Sequence, residues 1–157
     1  MNGFSGKQSF QTVRVIHLAL MTGLILFSGV VIYLNSLEPN RSSEMDATIM
    51  LAVAGSLTIM AIFVGPILYK QQLSTLKGDE TLQQKMAAFQ TAHIIRSALL
   101  EGAGLFGAVT CIVTWNLLGL AFTAVCIGMF VLKMPTPNML EQDLKLSSSE
   151  KNQLTEE

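Results

Sequence analysis

Charged side chains are withheld from three long stretches of this chain. Val15 to Leu37 is 23 residues with no acidic or basic side chain except His17. Ala47 to Tyr69 is another 23 with none, and the run between Glu101 and Lys133 is 31. About 20 apolar residues span the ~30 Å hydrocarbon core of a bilayer, and 18 or more read as a transmembrane segment. A soluble helix keeps a polar stripe at period 3.6. Here Ile, Leu, Val, Met and Phe recur on every side. Three such helices exceed what the core of so short a soluble chain could cover. The pattern predicts an all-α membrane protein.

The 31-residue run is too long for one span, at about 46 Å of helix, and short for two. Either three spans exist, with Glu101 at an interface, or four exist and Glu101 lies inside the third. An internal repeat favours four. Ser9–Val31 aligns without gaps on Ala88–Thr110, 79 residues later, and ten of the 23 pairs are identical. The shared opening Phe-Gln-Thr (Phe10 to Thr12, Phe89 to Thr91) is largely polar, so apolar composition does not explain it. This predicts two tandem helical hairpins with spans at about 13–35, 47–69, 92–115 and 117–134, followed by a tail over 135–157. Tyr33 and Trp115 close the paired first and third spans, as interfacial aromatics do.

The basic residues near the span ends set the orientation. Lys7, Arg14, Lys70, Lys77, Lys85, Arg96, Lys133, Lys145 and Lys151 fall on one side and Arg41 alone on the other. The positive-inside rule then places both termini in the cytoplasm of a bacterial inner membrane. The first apolar region is too long for a cleaved signal peptide.

Several signals punctuate the rest. Pro39-Asn40 marks an outer turn, Gly78 a helix stop, and Gly65-Pro66 a kink. Thr81 and Gln84 have the spacing of a capping box, as do Asn138 and Glu141. Met139, Leu140 and Leu144 suit a short amphipathic segment on the membrane surface, and 147–157 reads as a disordered tail.

Composition narrows the function classes. Half the residues are hydrophobic and 13% are charged, against about 25% charged in a soluble domain. Ten Lys/Arg stand against eleven Asp/Glu, which excludes the basic footprint of a nucleic-acid binder. No catalytic triad, CxxC, HExxH or P-loop is present, so no enzyme, cofactor or metal is expected. Cys111 and Cys126 differ in depth by more than disulfide reach and read as packing residues.

With four spans, Glu101 is the one carboxylate deep in the lipid region. Such a group costs about 2.5–3.5 kcal/mol on insertion scales and needs a partner or a proton. It is a candidate proton or cation site with Ser97 and His17. The structural reading, favoured over it, is an inter-helix hydrogen bond that fixes bundle register, and a contact to a partner subunit is a third. Arg14 and His17 align with His93 and Arg96, with the residue types exchanged, and are expected near the cytoplasmic interface. Gly102 to Gly107 spells GxGxxG, but neither the strand before it nor the acidic residue after it exists. Ala98-xxx-Gly102, Ala103-xxx-Gly107 and Gly104-xxx-Ala108 instead make small-residue packing faces.

The stretch IIRSALLEGAGLFGAVTCIVTWN, Ile94 to Asn116, resembles the carboxylate-bearing helix of rotary-ATPase proteolipids (c subunits). That resemblance implies an ion-binding role for Glu101. The chain departs from the family in the partner helix, where Ala47–Tyr69 has only Gly55 and Gly65. As a whole it resembles small four-helix bacterial inner-membrane proteins. The function expected is a structural or accessory subunit, in contact with lipid and with other membrane subunits or itself. Proton or cation handling through Glu101 is the alternative.

Overall fold

A computed structural model describes residues 6–37, 46–76, 80–147 and 150–151. These form α1 (Gly6–Leu37), α2 (Ala47–Leu73), α3 (Leu82–Thr114), α4 (Leu118–Leu132) and α5 (Pro137–Asp143), with no strand among them. Three of these helices are long and apolar enough to cross a membrane, and four spans result if α4 and α5 count as one bent pair.

The caps explain where the helices begin. Asp46 accepts the Thr48 N–H and starts α2. Thr81 and Gln84 make the reciprocal capping box at the head of α3. α3 stops at Thr114 because Trp115 takes a left-handed conformation (φ 55°). The next turn is held by Asn116, whose side-chain oxygen accepts the Leu118 N–H. Two details differ from the sequence reading. Thr136, not Asn138, caps α5 and accepts the Met139 N–H, with Pro137 in the first turn where its missing donor costs nothing. α2 ends at Leu73, before Gly78, which lies outside the described residues together with Pro39-Asn40. Pro66 lies inside α2, where the sequence reading has it.

α3 is the centre. It packs against α2, α4 and α1, whereas α1 and α2 barely touch each other. Half of its most apolar stretch is buried (50%), against 17% for α1. The two aligned segments, in α1 and α3, therefore occupy unequal places. One end of the bundle gathers Phe10, Tyr69, Met86, Phe89, Leu140, Leu144 and Leu146. The other gathers Val31, Ala108 and Cys111. The start of α1 and the segment after α5 thus share an end, and every described basic residue lies toward it.

α4 crosses α3 at glycine. A Cβ on Gly119 would stand 2.5 Å from the Gly107 carbonyl oxygen, and one on Gly107 2.8 Å from that of Gly119. The Thr123 hydroxyl donates to the Gly104 carbonyl at 2.8 Å across the same contact. Both cysteines are free and buried.

At 15 residues, α4 is only about 22 Å long. Met134 to Thr136 breaks it, since a residue before proline avoids the α region. α5 then leaves at 78° to α4. Leu140 and Leu144 are buried in the end cluster, so α5 turns its apolar side to the bundle rather than to a lipid surface. Nor is the beginning of the tail loose. Glu150 pairs with the buried Lys85 at 2.7 Å, and Lys151 with Glu141 at 2.8 Å. The hydrogen bond from Lys85 holds the Glu150 carboxyl below the usual carboxylate range.

Candidate functional site

The sequence reading placed Arg14, His17, His93 and Arg96 near the cytoplasmic interface, with His17 level with Arg96. The structure joins three of them, with Ser97, in a buried polar cluster where α4 stops. His17 projects from α1, His93, Arg96 and Ser97 from α3, and all four are 5% exposed or less. Arg14, three positions before His17 on α1, is exposed and takes no part.

Donor and acceptor chemistry orients the cluster. His17 Nε2 lies 3.0 Å from the Phe130 carbonyl oxygen. A carbonyl only accepts, so Nε2 carries the proton and His17 Nδ1 offers a lone pair. His93 Nε2, 3.0 Å from that Nδ1, must then donate to it. His93 Nδ1 in turn accepts from the Arg96 guanidinium at 3.2 Å. The result is one directed chain, Arg96 to His93 to His17 to the Phe130 carbonyl. The Ser97 hydroxyl stands 3.4 Å from His17 Nδ1 as a second donor. No buried side-chain nitrogen or oxygen among the described residues lacks a partner.

The chain ends on α4 for a reason. The last four carbonyls of a helix have no partner within it. Phe130 and Lys133 belong to the final turn of α4 and the residue that caps it. His17 serves the first, and Arg96 donates to the Lys133 carbonyl at 3.0 Å. The guanidinium charge also faces the negative end of the α4 dipole, where a cation is favoured. Its other face lies 4.7 Å from the centre of the Tyr69 ring, a cation–π contact. The Tyr69 hydroxyl donates to Asp143 at 2.6 Å and so ties α2 to α5. Phe130 meets the His17 ring edge-on at 5.1 Å, and Phe89 stacks on His93 at 6.0 Å, which closes the cluster with apolar surface.

Tyr69, Asp143 and the α4 carbonyls were not anticipated from the sequence. The exchange of His and Arg between the repeats was visible, but its target is backbone and leaves no sequence trace. Asp143 lies 74 positions from Tyr69, beyond any local pattern.

Glu101 lies elsewhere. It is partly exposed and makes no hydrogen bond or ion pair with any described residue. His17 spends both ring nitrogens inside the cluster, and no hydrogen bond links them to Glu101. The small residues of α3 divide between two faces. Ala103, Gly104, Gly107 and Ala108 are buried, whereas Ala98 and Gly102 are exposed, and a Cβ on Gly102 would meet nothing within 4 Å. Ala98, Gly102 and Val109 thus form an open strip on α3 with Glu101 at its edge.

The arrangement supplies directed hydrogen bonds and a helix terminus. Among the described residues no group of three or more His, Cys, Asp or Glu could hold a metal ion. No protein-family model, no curated protein and no solved structure matches the chain.

Proposed function

We propose that this chain is a non-catalytic accessory subunit of the bacterial inner membrane, spanning it four times with both ends in the cytoplasm. Its task is to dock another transmembrane helix, or a second copy of itself, on the open strip of α3. One observation carries this reading: the central helix is left uncovered on one side, and its only carboxylate within the apolar region lies there without a partner among the described residues. Small residues allow the close backbone approach by which helices associate in lipid, where hydrophobicity supplies no drive. A carboxylate in that setting gains from any donor that a partner helix brings. The basic residues gathered at one end support the cytoplasmic placement. α4 serves as the short fourth span, completed by the break and by α5.

The test is association in native lipid. Gly102→Leu is expected to abolish cross-linking to the neighbour or cause at least a tenfold loss of complex, with thermal stability unchanged, since the site is open space. A chain that stays monomeric in lipid nanodiscs and co-purifies with no other membrane protein would contradict the reading.

A second reading, proton or cation handling, is favoured by the same unpaired Glu101, beside a helix turn that carries Ser97. It predicts carbodiimide labelling of Glu101 that the coupling ion blocks and Glu101→Gln removes. Purified protein in liposomes with no Glu101-dependent flux sinks its autonomous form.

A further inference from the structure

We infer that the cavity beneath α5 is a binding site for a phosphate-bearing anion, filled in the membrane by the headgroup of an anionic lipid. The cavity has a volume of about 560 Å³ and lies between the end of α2, the start of α3 and the end of α5. That size suits a small ligand. Its walls divide by chemistry. Lys70, Lys85 and Lys145 supply cations, and Leu73, Leu76 and Leu144 supply apolar surface.

The state of each charge matters more than their number. Asp143 remains a carboxylate, but it accepts from the Tyr69 hydroxyl, whose ring carries the Arg96 guanidinium, and Lys85 is paired with Glu150. Glu80 is the other acidic residue on the wall. Lys70 and Lys145 are exposed and form no ion pair with a described residue. Lys145 is held in place by a left-handed turn (φ 48°) between the buried Leu144 and Leu146. Two exposed lysines beside leucine surface match an amphiphile with an anionic head. Basic pockets between membrane helices on the cytoplasmic side hold such headgroups. Glu150 is then an internal anion that occupies Lys85 and moderates affinity.

The lipid as source rests on the membrane reading above; the phosphate chemistry does not. Native mass spectrometry of the full chain separates the two, with dioleoyl phosphatidylglycerol, dioleoyl phosphatidylcholine and glycerol 1-phosphate as probes. Phosphatidylglycerol is expected to bind at least tenfold more tightly than phosphatidylcholine. Lys70→Ala with Lys145→Ala should weaken it about twentyfold, since each lysine near a charged surface contributes about fivefold. Glu150→Gln, which frees Lys85, should tighten it. Lys7→Ala with Arg14→Ala removes as much charge at the same end and should change binding less than twofold. Should the double lysine variant unfold, the exposed Lys70→Gln alone carries the test. Equal binding of the two lipids with no binding of glycerol 1-phosphate overturns the inference, as does an equal loss in the Lys7/Arg14 variant. Glycerol 1-phosphate that binds and displaces phosphatidylglycerol upholds the site and overturns the lipid as its source.

Discussion

Gly119→Ala is expected to destabilise the bundle by about 2–3 kcal/mol, at the upper end of what overpacking costs. The added methyl would meet the Gly107 carbonyl oxygen at 2.5 Å, the Cys111 nitrogen at 2.7 Å and the Cys111 Cα at 3.2 Å. All three belong to backbone, so no side chain can swing aside. Relief requires α4 to move off α3. That motion would stretch the bond from Thr123 to the Gly104 carbonyl and shift the Phe130 and Lys133 carbonyls from their donors. Gly107→Ala should cost somewhat less, since one of its contacts is the Thr123 hydroxyl at 2.9 Å. Gly104→Ala should cost less again, because its closest atom, at 2.7 Å, is a methyl end of Leu24 that can turn, and the Cys126 Cβ stands farther off at 3.1 Å. Gly102→Ala should be neutral or stabilising by up to about 1 kcal/mol, from helix propensity alone. The check is reversible unfolding in mixed micelles across the four variants. A flat series, or one in which Gly102→Ala is worst, would show that α3 and α4 do not cross at these glycines.

That ordering also marks how far the sequence could be read. The glycines of α3 were recognisable as packing residues, and their division was implicit in helix geometry. Gly102 and Gly104 are two positions apart, about 200° around the helix, so they cannot share a face. Which face turns inward was not readable. α3 is apolar on every side through this region, so periodicity gives no direction. Gly119 went unnoticed for the same reason, in a helix with no polar stripe at all.

The long helices were legible because charge is excluded from long runs, and the Thr81 cap because its signal is local. The sequence reading bounded the fourth span at about 117–134, and α4 is shorter by a residue or two at each end, Leu118–Leu132. Pro135 was the available signal, because it removes the α region from Met134. The short α4 in turn creates the site. Its last carbonyls come to rest level with His17 and Arg96 rather than at the bundle end. The residues were therefore visible in the alignment of the two segments and the end of α4 in Pro135, while nothing in the pattern paired that end with His17 and Arg96. Glu101 shows the converse. Its isolation in an apolar run drew attention to it, but an isolated charge says nothing about which side chains reach it.

Arg96→Met should test the site most directly, with an expected loss of about 2–3 kcal/mol from two buried acceptors left bare. The Lys133 carbonyl would lose its only side-chain donor and His93 Nδ1 its hydrogen bond. Methionine keeps much of the volume, so cavity formation is not the cause. Relief of guanidinium desolvation opposes the loss, but here the charge already faces a helix C-terminus and the Tyr69 ring. Arg96→Lys should recover little. An ammonium on a narrower stem cannot lie flat on the ring and also reach His93 and the Lys133 carbonyl. The effect should travel along the directed chain. His93→Phe combined with Arg96→Met should cost less than the sum of the two, because each single change strands the other's partner. It should also travel through Tyr69 to α5, so amide exchange over 137–146 should quicken in Arg96→Met while that of α1 near Val31 stays unchanged. Additive costs, or exchange that quickens equally at both ends of the bundle, would mean that Arg96 contributes bulk and charge but does not hold the end of α4.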